Sequence, residues 1–287
     1  MSSRVPLALA MLLAVLAGAA CDASGYRKSG GQWMHGDATF TPQDPASFKP
    51  LDDRFARDAL RGYCRGSVVA ESDGPSFAVV SANEARDRNG VYYCDTYRKG
   101  QEYWSIQHLR IHRIEGADAA TYTSIGQGYA RDRQRVYADG LPFEVRDPAT
   151  FEPLAGGFAR DSRRGYYARV EIPGSHGPSF ESIDARDPAY ARDRANVYYG
   201  HRDIDAAREP NVRPRDVVRT LRGAEPAALR VLGRDYAADA RHVWHRGRLI
   251  DGADAATFAI DDTFRGPADA TDRSGAWQSG KQLAASK

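Results

Sequence analysis

An aspartate recurs along this chain at Asp58, Asp87, Asp132, Asp161, Asp193, Asp239 and Asp272. Five residues after it an aromatic follows every time, at Tyr63, Tyr92, Tyr137, Tyr166, Tyr198, Trp244 and Trp277. Successive positions differ by 29, 45, 29, 32, 46 and 33 residues, so two copies are much longer than the rest. A register kept through seven copies makes the chain an array of small units, and no unit of that size can close a hydrophobic core alone. Neighbours must therefore stack, and a buried stripe must run through the array.

The copy from Tyr129 to Leu154 shows the unit most fully. Tyr129-Ala130-Arg131-Asp132 reads as a short strand, and Arg135-Val136-Tyr137 reads as its antiparallel partner after a tight turn. Glycine eight residues after the aspartate, at Gly66, Gly140, Gly247 and Gly280, marks a reversal that needs positive φ. In Asp147-Pro148-Ala149-Thr150-Phe151, Asp147 can cap the amides of one helical turn and Pro148 suits its first position. The aromatic that ends this segment (Phe77, Tyr122, Phe151, Phe180, Phe258, with Leu229 in the fifth copy) is expected to be core. The predicted fold is all-β: tandem β-hairpin repeats of about 29 residues with short helical turns, in an elongated or curved array. A closed β-propeller is the alternative, although about 29 residues is short for a four-stranded blade.

Asp87-Arg88-Asn89-Gly90-Val91-Tyr92-Tyr93 and Asp193-Arg194-Ala195-Asn196-Val197-Tyr198-Tyr199 resemble the DKNYY repeat family of exported bacterial proteins. The resemblance spans 55–260 and departs by using Arg for Lys, by losing the second aromatic at Ala138 and His245, and by two insertions. It implies a fold and an exported, lipoprotein-like setting, and it adds no chemistry.

Arg4 precedes an apolar run, Val5 to Ala20, that ends in small residues before Cys21. That pattern suits a signal peptide over 1–20 better than a membrane span. Leu-Ala-Gly-Ala-Ala-Cys resembles a bacterial lipobox, departing at Gly18 and Leu16, so Cys21 is the expected lipid-attachment residue. Residues 21–54 then form a lipid-anchored N-terminus with a degenerate first repeat around Trp33 and Gly36, and 261–287 a terminal hairpin and loose tail. The expected location is the bacterial envelope, on a membrane facing the periplasm or exterior, with plain secretion as the alternative. Acylation of Cys21 leaves Cys64 and Cys94 as an even pair in an oxidising compartment. They are a disulfide candidate, though they lie six and seven residues after their aspartates, and a one-residue offset turns side chains to opposite faces of a strand.

Insertions on a rigid repeat are where binding loops are expected. The first, 95–113, carries Trp104, His108 and His112; the two histidines share a face in either strand or helix but lack a third metal ligand nearby. The second, 201–223, is the most basic window and includes Arg208, Arg213, Arg215 and Arg219. Anionic headgroups, an anionic glycan or an acidic envelope protein are the partners these residues suit. Elsewhere Arg alternates with Asp, so a one-sided basic face for nucleic acid is not expected. No cofactor, metal or catalytic residue is assigned. The expectation is a binding or scaffold module of the envelope; an envelope enzyme acting on glycan or peptide, with a site made by both insertions, is the alternative.

Overall fold

The computed structural model describes residues 25–99, 104, 106–183, 189–203, 215–261 and 266–284, so the expected signal peptide and lipid-attachment residue Cys21 lie outside the described residues. Among these residues the secondary structure is β throughout, apart from single 3₁₀ turns. The strands form eight antiparallel sheets over 26–40, 49–68, 78–113, 123–143, 152–171, 181–220, 230–249 and 259–282, here the first to the eighth. The first has three strands and the others four, each an unbroken meander in chain order.

The expected hairpin is the central pair of each sheet. In the fourth sheet Tyr129–Arg131 pairs with Val136–Ala138, aligning Ala130 with Tyr137. Thr123–Gly126 and Leu141–Phe143 add a strand on either side. Four strands fit because each is only three or four residues long here, so repeat length is no argument against four-stranded units. The C-terminal hairpin is likewise not alone. Ala259–Ile260 pairs with Ala270–Asp272, and the eighth sheet crosses the boundary expected at 261.

Both faces of the central strands are buried, and side-chain alternation explains how. The aromatic five residues after each aspartate enters the core shared with the preceding sheet, as Tyr137 does beside Val91, Tyr93 and Tyr122. Residues four and six after it enter the core shared with the following sheet, as Val136 and Ala138 do beside Phe151, Ala159 and Tyr166. Seven such clusters are described, and each joins two sheets consecutive in the chain. The connector aromatics Phe48, Phe77, Tyr122, Phe151, Phe180 and Phe258, and Leu229 in their place, lie one to a cluster.

Close stacking also fixes two kinds of glycine. Asp139 and Gly140 both have positive φ, 50° and 71°, the conformation of a tight two-residue hairpin turn. A Cβ on Gly140 would sit 2.6 Å from the Tyr93 ring of the previous sheet. In the second sheet Gly62 lies where a Cβ would run into the Phe77 ring, so the small residue makes room for the connector aromatic.

The recurrent aspartate welds each connector to the next sheet. Asp132 Oδ1 accepts the amides of Gln134 and Arg135 at 2.7 and 2.8 Å, an Asx turn that closes the hairpin. Its Oδ2 accepts the Tyr137 hydroxyl at 2.6 Å and, from the connector fourteen residues earlier, the Asp118 amide at 3.0 Å. Thr121 completes the weld by accepting the Arg133 amide and donating to Asp118 Oδ2. The same pattern surrounds Asp58, Asp87, Asp161 and Asp193. In this scheme Asp147 does not cap the amides of its 3₁₀ turn as expected; it accepts the hydroxyls of Thr150 and Ser162. The junction of the sixth and seventh sheets carries a variant of this weld. Ala228 and Leu229 stand where others have a hydroxyl and an aromatic, and Trp244 Nε1 is buried with no hydrogen-bond partner among the described residues.

Burial, the largest single influence, works to raise the carboxyls of Asp58, Asp132, Asp193 and Asp239. Amide donors, joined by a tyrosine hydroxyl at Asp58, Asp132 and Asp193, together outweigh it and hold all four below the usual carboxylate range. A carboxyl whose pKa is lower folded than unfolded stabilises the fold above the unfolded value of about 3.9, and that contribution disappears as pH falls through the folded value. Burial also holds His112 and His245 below their usual value, which by the same sign adds a shallower loss below about pH 6.5. Urea unfolding across pH should therefore show a gentle decline on mild acidification and the steepest loss below about pH 4. A midpoint that rises on acidification contradicts this.

Candidate functional site

The polar residues that recur in every copy are consumed by the fold. The turn carboxylates are filled by amide and hydroxyl donors, and among the described residues no three His, Cys, Asp or Glu side chains gather to hold a metal. Ser175 and His176, a hydroxyl beside an imidazole, are similarly occupied. Ser175 Oγ accepts the Gly165 amide and donates to the Ile172 carbonyl, while His176 Nδ1 meets Ser179 Oγ at 2.9 Å in the connector.

Cys64 and Cys94 form a disulfide between the second and third sheets, with Cα atoms 6.6 Å apart. The one-residue offset that argues against pairing is what permits it. Six residues after its aspartate, Cys64 faces the following sheet; seven after, Cys94 faces the preceding one, so both sulfurs enter one core. A closed loop of about 30 residues contributes about 3–4 kcal/mol in the chain-entropy account.

What differs between copies is concentrated in the two insertions, which prove to be hairpin extensions. In the third sheet Val91–Tyr97 and His108–Arg113 run past the point where other copies turn. Their register sets Tyr93 against His112, Asp95 against Arg110 and Tyr97 against His108. One face thus carries a ladder. The Tyr93 and His112 rings lie 5.4 Å apart and the Tyr97 and His108 rings 5.3 Å, and Arg110 sits 6.0 and 5.7 Å over the two tyrosines. Arg110 also makes a two-pronged pair with Asp95, at 2.8 and 2.5 Å, so this face neutralises itself. His108 and His112 do share a face, each taken up by a tyrosine. Trp104 is 87% exposed beyond them.

The second arm, Val197–Asp203 with Arg215–Thr220, is built in the same register in the sixth sheet. Arg208 and Arg213 lie outside the described residues, and Arg215 is placed only as the first residue of its strand. Tyr199 opposes Arg219, and the Tyr199 and His201 rings lie 5.3 Å apart. Arg219 Nη1 donates to the Arg246 carbonyl of the next sheet's turn at 3.1 Å and lies 3.4 Å from His201 Nε2. Arg246 Nε in turn donates to Asp235 Oδ2 at 3.0 Å, and the Tyr199 hydroxyl donates to Asp235 Oδ1 at 2.9 Å.

These residues form one side of a groove of about 900 Å³ that runs over the turns of the seventh and eighth sheets. Of the sequence candidates among the described residues, Arg219 lines it. Arg248 and Lys281 line it as well, neither of them a candidate from sequence although both stand nine residues after their aspartates, directly behind the turn glycine. Repeat register alone places them at one edge. The two arms belong to the third and sixth sheets, with two whole sheets between them in the succession of cores. No family model matches this chain, and no curated protein and no solved structure matches it either.

Proposed function

We propose that this protein is an exported envelope module, anchored through lipid on Cys21, that presents copy-specific arms on an open stack of small β units to a binding partner. One observation carries the reading: the recurrent polar residues are spent on internal bonds, whereas the exposed, variable chemistry sits on the two hairpin extensions. Among the described residues the first sheet shares a core with the second and the eighth with the seventh, and none joins the first to the eighth, which supports an open elongated or curved array over a closed ring. The Asp87–Tyr93 and Asp193–Tyr199 segments keep the likeness to DKNYY repeats, whose exported setting suits the leader and Cys21.

A photoreactive residue at position 104, on the first arm, should crosslink a defined envelope component in cells, and one at 133, in a recurrent turn, should not. Equal labelling from both positions, or none, overturns the binding reading. The anchor is tested separately: a clickable fatty acid should label the wild type and not Cys21→Ser, and label on both or on neither removes it.

A further inference from the structure

Several arginines outside this region are neutralised locally. Arg110 pairs with Asp95, Arg146 with Glu171, Arg160 with Glu152, Arg192 with Glu181 and Arg241 with Glu225. The groove on the sixth, seventh and eighth sheets is richer in cations. Arg219, Arg246, Arg248 and Lys281 line it against one carboxylate, Asp235, which leaves 4 − 1 = 3 positive charges in excess, while Arg202 at its border stands opposite Asp216 on the other face of the arm. That carboxylate is already engaged by Tyr199 and Arg246. Arg248 and Lys281, both exposed, make no ion pair among the described residues.

The two arms make the contrast sharp because they share a register. Eight residues after its aspartate the first arm has Asp95, faced by Arg110; at the same place the second arm has His201, faced by Val217. One acid–base pair closes the first arm's face to anions. The second arm replaces the acid with an imidazole and sets Arg219 two pairs further in, on the same face. Crowding like charges opposes folding, so a groove whose lining holds more cations than carboxylates favours occupation by an anion. The groove is also shaped in advance. Arg219 is held on the Arg246 carbonyl and Arg246 on Asp235, so two guanidinium groups are positioned before any ligand arrives and little side-chain freedom is left to lose.

We propose that this groove binds a ligand carrying two or more phosphate or carboxylate groups. Arg219 and Arg246 form its fixed floor, and Arg248 and Lys281 its rim. The proposal rests on reading the chain as a binding module, but it fails or stands apart from the crosslinking test at position 104.

The test uses the full chain bearing Cys21→Ser, so that no acyl group contributes. Tripolyphosphate and citrate are titrated by calorimetry, and vesicles of phosphatidylcholine with phosphatidylglycerol by co-sedimentation. Saturable binding of one equivalent of tripolyphosphate or citrate is expected. It should weaken at least about tenfold in the double variant Arg248→Glu with Lys281→Glu, which alters exposed side chains and leaves the floor intact. The control variant Lys49→Glu with Arg133→Glu, of equal charge change away from the groove, should bind within about twofold of the parent. Binding to anionic vesicles alone, lost in the groove variant only, assigns the phosphate to a lipid headgroup and supports the same site. No saturable binding to any of the three, or equal weakening in groove and control variants, overturns the proposal.

Discussion

Replacing Phe151 by Ala should lower the free energy of unfolding by about 3–5 kcal/mol, the usual loss for a buried aromatic cut back to a methyl group. The ring is buried between the fourth and fifth sheets, with its centroid 5.4 Å from Tyr129 and 5.7 Å from Phe143 and Tyr166. It comes from the connector and closes a core to which neither sheet alone contributes enough apolar surface. Phe151→Leu should cost less than about 1.5 kcal/mol, because leucine keeps most of the apolar contact and Leu229 holds the equivalent place between the sixth and seventh sheets. Urea unfolding of both variants measures the difference. Equal losses, or a loss below about 1 kcal/mol for alanine, would show that the connector ring does not seal the junction.

Asp132→Ala should be comparably severe, at about 3–5 kcal/mol, for a different reason. The change removes four acceptor contacts at once: the amides of Gln134, Arg135 and Asp118 and the hydroxyl of Tyr137, the last fully buried. Each donor left without a partner in a buried site costs more than the net value of the bond that satisfied it. Asp132→Asn should fall between, since one oxygen can keep the turn amides while the amide nitrogen cannot accept from Tyr137 or Asp118. Asp251→Ala, at an exposed carboxylate in a connector, should stay within about 0.5 kcal/mol of wild type.

Much of this architecture is legible in the sequence because the repeat register is a physical constraint. Tyr137 and its equivalents, the connector aromatics and Gly140 were all identifiable by place in the copy. The β class of the chain followed from the same places. The outer strands were not legible. Pairs such as Glu152–Pro153 and Val170–Glu171 are too short to show alternation, so a four-stranded sheet reads as a hairpin with loops. The disulfide partners were identified, but their facing depends on which side of each sheet a given offset points to, and that needs the stacking order. Trp104, His108 and His112 fell on one arm as expected from the insertion, whereas the groove drew on Arg248 and Lys281, two residues unremarkable within their own copies. Their nearness arises from stacking two sheets in register, information spread over residues 193–281.

The central claim is that a carboxylate in each copy holds its own turn and the preceding connector together. Amide hydrogen exchange reads it directly at the residues two and three beyond each aspartate, among them Asn89, Gln134, Arg163, Ala195 and Arg241. Turn amides at a protein surface ordinarily exchange fast. Here these amides donate to buried carboxylates at 2.7–2.8 Å and should be protected in every copy, with protection at Gln134 and Arg135 lost in Asp132→Ala. Exchange at these positions as fast as in an unstructured loop would contradict the account.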